Sequence, residues 1–274
     1  MNRIENPDGR EWYHFSHDSG ANLQISRFAG HPVSWKTPDG GERLYLSPLA
    51  DFSATNAIRG GVPIIFPQFS DHGPFGRHGF ARKSFWEMDP ETGQFLLNAS
   101  PSTREEWPHE FTLRLSFALH AEALELNLEV KNPGDTPLEF HAAFHTYLKV
   151  NDVTQCSVSG LENVPFFDEA SKTLHETEPA AISFGTEIDR AYLRAGDRVV
   201  TLHESERPKI IVETIGFNDV VVWNPGPRHG ISDLPEEGWQ HFVCIESAET
   251  TELLLLDPGE LWTGTQRLKV ISEI

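Results

Sequence analysis

The chain has 274 residues, 38% apolar and 23% charged, which excludes a disordered polymer and leaves room for a sizeable core. Its formal net charge of −19 repels a phosphodiester backbone and an anionic bilayer, so neither nucleic acid nor membrane is an expected partner. Two well-separated cysteines, Cys156 and Cys244, suit free thiols in a reducing compartment.

The opening MNRIENPDGREW lacks an apolar segment, so no signal peptide is expected, and no later run has the length of a membrane span. A cytoplasmic, monomeric protein is the resulting expectation. Residues 57–82, AIRGGVPIIFPQFSDHGPFGRHGFAR, cannot form one regular strand, yet Ile64, Ile65, Phe66, Phe69, Phe75 and Phe80 argue against disorder. The segment reads as an ordered loop system lining a site. Residues 111–119 put Leu113, Leu115, Phe117 and Leu119 on one face, and residues 124–130 do the same with Leu124, Leu126, Leu128 and Val130. The link HAEA reads as a hairpin and NPGDTP at 132–137 as the next turn. Further strands are expected at 139–149, 209–214, 219–223, 241–246, 252–256 and 267–272, and helical periodicity is scarce. The pattern predicts one all-β domain over residues 1–274, an antiparallel β-sandwich or barrel.

Several residues could carry chemistry. On a strand, His145 shares a face with Glu139, His141, Ala143 and Tyr147, away from Phe140, Ala142 and Phe144. The plainer reading is a strand histidine with its hydrogen bond satisfied. Zinc on His141 and His145 is disfavoured, because four strand residues separate them by roughly 13 Å. Glu246 shares a face with Phe242 and Cys244; it is either solvated at the strand end, the commoner case, or held in a partly dry pocket that raises its pKa. Arg59 precedes Gly60-Gly61, where backbone could approach a ligand closely, and Arg82 closes HGFAR beside Arg77 and His78. Their guanidinium forks suit phosphate oxygens, although in so acidic a chain both arginines could instead pair with carboxylates. Asp189 reads equally as a capping or turn aspartate. Trp86 and Trp223 could stack on a sugar but are more often core. No nucleotide loop, nucleophile elbow or cysteine-based metal motif is present.

Taken in order, IRGGVPIIFPQFS (58–70), RHGFAR (77–82), SFWE, FHTYLKVNDV (144–153), EIDRAYL (187–193), VVWNP (221–225) and FVCIES (242–247) resemble the hexose-6-phosphate mutarotase branch of the aldose 1-epimerase superfamily. The resemblance runs from about Trp35 to the C-terminus. It implies a galactose mutarotase-like β-supersandwich with its site in a cleft on the concave face. It also implies His145 as general acid, Glu246 as general base, and substrate contacts from Arg59, Arg82 and Asp189. Arg77 stands where relatives often carry a contacting Gln, His78 matches a second histidine of the pattern, and Gln68 is a neighbouring contact. The implied reaction is interconversion of α and β anomers of an aldohexose, with hexose 6-phosphate as substrate.

That chemistry needs one proton removed from the C1 hydroxyl and one delivered to the ring oxygen, so a tuned carboxylate and imidazole suffice without cofactor or metal. Competing readings are a mutarotase for neutral aldoses, a catalytically idle carbohydrate-binding protein, and a structural interaction module. Asp51, Asp71 and the global charge weigh against a phosphate, whereas the arginines favour it.

Overall fold

The computed structural model describes residues 2–5, 11–178, 180–205 and 208–271. Strict two-residue alternation builds its longest strands. In Ala123–Lys131, Leu124, Leu126, Leu128 and Val130 are fully buried while the residues between them reach solvent. Burying each such side chain contributes about 1.5–3 kcal/mol, so a one-residue slip of this strand is strongly penalised. It pairs antiparallel with Thr112–Leu119 on one side and Leu261–Ile271 on the other. These strands belong to a nine-stranded sheet that continues through Lys209–Ile215, Val199–Glu204, Cys156–Ser159 and Ile182–Ser183 at one end and Phe95–Asn98 and Glu87–Met88 at the other.

An eight-stranded sheet packs against it. Its order is Thr173–His175, Phe166–Asp168, Ile188–Tyr192, Asp219–Asn224, Phe242–Ala248, Ala143–Phe144 and Ile64–Ile65, with Tyr147–Lys149 also pairing with Phe242–Ala248. Phe144, Val220, Val222, Val243 and Ile245 from this sheet join Leu124, Leu126, Leu268 and Val270 from the other in one core cluster. A four-stranded sheet, Asn2–Glu5 to His31–Lys36, shares that core through Leu23, Ile25 and Trp35. The only α-helix among the described residues is Pro101–Glu106. The all-β antiparallel sandwich expected from the sequence is therefore observed, and no helix is long and apolar enough to cross a membrane.

The expected strand at 139–149 is instead three short pieces, Leu138–Phe140, Ala143–Phe144 and Tyr147–Lys149. The expected strand at 267–272 begins earlier, at Leu261. Cys156 and Cys244 are buried free thiols.

Candidate active site

The site lies on the face of the eight-stranded sheet that points away from the shared core. In Phe242–Ala248, Val243 and Ile245 enter the core, while Phe242, Cys244, Glu246 and Ala248 face the other way. The neighbouring register pairs Phe144 with Ser247 and Tyr147 with Cys244. Carried across the gap between those two short strands, it sets His145 opposite Glu246. Directly opposed side chains in an antiparallel pair are close enough to interact, and here His145 Nδ1 lies 3.2 Å from Glu246 Oε1. The two residues are only 7% and 2% exposed. The contact is misaligned for a hydrogen bond, so His145 Nδ1 has no partner, and neither has Glu246 Oε2. Such buried orphan atoms carry a large desolvation cost unless something else binds them.

Aromatic rings fix the imidazole. His145 stacks on Tyr147 with centroids 5.0 Å apart and planes 9° from parallel, and it meets Trp223 and His78 edge-on, each at 5.6 Å. The backbone N–H of Ser70 donates to His78 Nδ1 at 3.2 Å, which leaves Nε2 to carry the proton of the neutral ring. Burial, then the Arg82 charge, holds both His78 and His145 well below the usual histidine pKa. Burial, then Asp189, drives Glu246 well above the usual carboxylate range, with Arg82 and Arg77 opposing. The partly dry pocket, rather than the solvated strand end, is thus where Glu246 sits.

The next strands complete the row. Asp189 pairs with Trp223, and Trp223 with Cys244. Asp189 lies mid-strand in Ile188–Tyr192 and so caps no helix. Burial, aided by Glu169, pushes its carboxyl up to about 7. Glu169 is itself held by His72 Nε2 at 2.9 Å and by Lys172.

The arginines divide. Arg59 donates from Nε to Asp233 at 3.0 Å and from Nη1 to the Tyr147 hydroxyl at 3.0 Å. Arg82 donates from Nη2 to the Arg77 carbonyl at 2.9 Å, its buried Nε has no partner, and no carboxylate among the described residues forms an ion pair with it. Burial lowers its pKa to about 10, with Arg59 and Arg77 adding repulsion against the pull of Tyr147. Arg77 is 61% exposed and 3.8 Å from Asp71.

Arg59, Arg77, His78, Arg82, His145, Asp189 and Glu246 therefore line one cleft of about 280 Å³, with Phe69, Val221, Trp223 and Ile231 supplying apolar walls. Gln68 does not join them. Its amide donates to the Ser70 and Phe75 carbonyls and accepts from the Phe75 N–H, so it staples the loop rather than facing the cleft. Gly60 and Gly61 serve packing, not ligand approach: a Cβ would stand 2.4 Å from the Tyr45 carbonyl oxygen at Gly60 and 2.3 Å from that of Pro32 at Gly61. Trp86 is core, with its indole N–H bonded to the Ala81 carbonyl.

Sequence reading missed Tyr147, Glu169, Asp233 and Cys244 as parts of the site. The face pattern already put Tyr147 beside His145 and Cys244 beside Glu246, whereas the arrival of Asp233 and Glu169 depends on tertiary loops. His145, Cys244 and Glu246 also offer three ligand atoms within 4.8 Å of one another, a donor set that a soft divalent cation could use. The His141 and His145 pair weighed in the sequence does not form a group, since His141 lies against His72.

Comparisons with known proteins agree with this architecture. A family model described as aldose 1-epimerase matches residues 11–269. A Cenchrus ciliaris protein is 32% identical, covering 98% of this chain and 87% of its own length. An Escherichia coli K12 protein is 36% identical, covering 81% and 78%. Both are described provisionally as glucose-6-phosphate 1-epimerases. The crystal structure of a provisionally assigned mutarotase from Salmonella typhimurium superposes with a TM-score of 0.88 at 28% identity, covering 99% of this chain and 93% of that one. The chain belongs to the aldose 1-epimerase family.

Proposed function

We propose that this protein interconverts the α and β anomers of a hexose 6-phosphate, as a glucose-6-phosphate 1-epimerase. The observation that carries the reading is the His145–Glu246 pair, an imidazole and a carboxyl 3.2 Å apart on a cleft floor, with His145 Nδ1 and Glu246 Oε2 left without hydrogen bonds. Burial favours the neutral form of each group in the empty cleft, so the pair's one proton must first pass from Glu246 to His145 across their contact. Glu246 then takes the C1 hydroxyl proton while His145 gives its proton to the ring oxygen. The C1–O5 bond breaks, the open aldehyde rotates about C1–C2, and closure returns both protons by the reverse path. One proton enters and one leaves the substrate, so the proton count of the pair is unchanged over the cycle.

The phosphate assignment rests on Arg82, a half-buried side chain whose buried Nε has no partner and with which no carboxylate among the described residues pairs. A bound phosphate would offset the arginine charge that lowers the His145 pKa. The imidazole would then hold its proton more readily when substrate is present. Trp223 and Ile231 offer apolar surface to the sugar ring, while Asp189 and His78 can bond its hydroxyls.

The test is the exchange rate between the anomeric protons of glucose 6-phosphate, measured by NMR with and without protein, alongside glucose and galactose. Acceleration is expected on the phosphorylated sugar. His145→Ala and Glu246→Ala should each lose about 10²–10⁴-fold. Faster turnover of the neutral sugars would replace this substrate with an unphosphorylated aldose. Saccharide binding without acceleration would make the protein a carbohydrate-binding module.

A further inference from the structure

Beneath the His145–Glu246 pair, on the core side of the sheet, polar side chains cross the interior between the two sheets. Gln266 comes from the nine-stranded sheet, where it is paired with Thr214 on one side and Leu126 on the other. It is fully buried, as are Thr146 and Ser247. An amide in such an apolar layer is costly unless every polar atom is bonded, and here the bonds all reach the other sheet. Thr146 donates from Oγ1 to Gln266 Oε1. Gln266 Nε2 donates to the Ile245 carbonyl at 3.2 Å and to Ser247 Oγ at 3.0 Å. Thr214 Oγ1 extends the chain to Ser247 Oγ at 2.7 Å.

The place of this network matters. Thr146 follows His145, and Ile245 and Ser247 flank Glu246. The strand between Phe144 and Tyr147 is interrupted at this point, and the Ile245 N–H to Thr146 carbonyl bond, 3.1 Å, bridges the two segments there. Gln266 reaches both strands at that interruption, through the Thr146 hydroxyl on one and the Ile245 carbonyl and Ser247 hydroxyl on the other, on the opposite side of the sheet from the His145 and Glu246 side chains.

We propose that Gln266 is a positioning residue for the anomerisation: one buried amide from the opposite sheet fixes the spacing of His145 and Glu246. The inference rests on reading those two residues as the acid–base pair. Misplacing a reacting group by about 1 Å can cost about 100-fold in rate, so the effect belongs in kcat rather than in substrate affinity.

The experiment compares three variants on glucose 6-phosphate with their melting temperatures. Gln266→Met keeps length and removes every polar bond; kcat should fall about 10–100-fold while KM stays within about twofold. Thr146→Val removes one bond, and should lose kcat in the same sense even if Gln266→Met does not fold. Thr214→Val cuts only the outer link to Ser247, and should keep kcat within about twofold whatever stability it loses. A readout independent of turnover is the ¹⁵N resonances of the His145 imidazole, assigned by their loss in His145→Gln. They should move in Gln266→Met or Thr146→Val and stay put in Thr214→Val. Folded Gln266→Met or Thr146→Val protein with near-normal kcat and unmoved resonances would overturn the proposal. Equal loss of kcat in Thr214→Val would do the same. If the unsubstituted protein accelerates no sugar, the acid–base reading fails, and the imidazole resonances alone decide whether Gln266 sets the spacing.

Discussion

Arg59 and Arg82 bring the same charge to the same cleft with different freedom. Asp233 and Tyr147 occupy Arg59, whereas Arg82 meets only a backbone carbonyl. An incoming phosphate therefore gains most from Arg82. Charge-assisted bonds of this kind contribute roughly 1.5–3 kcal/mol, so Arg82→Ala should lower kcat/KM for glucose 6-phosphate about 10–100-fold. Turnover of unphosphorylated glucose should change by a smaller factor, set only by the lost Arg82 charge beside His145 and Glu246, and parallel NMR exchange measurements on both sugars check the difference. Chelation is a second test at this scale. Burial holds the Cys244 thiol protonated, and His145 and Glu246 already supply acid and base. Dialysis against EDTA should leave the rate unchanged, whereas a loss that zinc restores would turn the three donors into a metal centre. Glu249 offers a pH test away from the cleft. Burial pushes its carboxyl up to about 7 against the opposing bonds from Asn218. The folded state thus holds this proton longer than the unfolded chain does, so its contribution to stability falls as pH rises from about 4.5 to about 7. Glu249→Gln lacks that titration, and its melting temperature relative to the unsubstituted protein should climb across the same window. At this scale the sequence already placed His145 and Glu246 on the correct faces, because two-residue alternation survives short interruptions. It could not place Asp233 on Arg59, because 174 residues separate them and nothing local encodes the contact.

The loop at 57–82 was legible as an element without periodicity, but its internal construction was not. Gln68 holds Ser70 and Phe75, and the Phe66 carbonyl accepts from both the Phe80 and Ala81 N–H groups. Gly79, with φ of 65°, fits this crossing because a Cβ would stand 2.2 Å from the Phe66 carbonyl oxygen. Gly79→Ala should lose roughly 1–3 kcal/mol of stability and displace His78 and Arg82 together. A lower midpoint in urea unfolding with a raised KM for the phosphorylated sugar would register both effects. Strand prediction succeeded where apolar alternation is complete, as in Ala123–Lys131. It failed at the start of Leu261–Ile271, where Leu261 is exposed and Gly264 and Gln266 are buried, the reverse of what polarity alone suggests.

Across the molecule, the core cluster contains residues from all three larger sheets, including Tyr13, Leu23 and Trp35 from the four-stranded one. We propose that the chain unfolds as a single unit. Calorimetry should give one transition, and Trp35→Ala should move the whole of it, with roughly 3–5 kcal/mol lost from a fully buried indole. Two separate transitions would split the four-stranded sheet from the sandwich. The sandwich class was readable because dense turns and period-2 strands admit few other architectures. The strand order was not, because pairing across more than a hundred residues leaves no local signature. That order also bears on synthesis. Leu261–Ile271 enters between Lys209–Ile215 and Ala123–Lys131, so it is translated after both of its neighbours. Until it emerges, the nascent chain carries two unpaired strand edges awaiting one insert, each able to recruit a wrong partner. Its arrival closes both edges and brings Gln266 beneath His145 and Glu246 in the same event. Ribosome-stalled chains ending before Leu261 would therefore be candidates for chaperone capture.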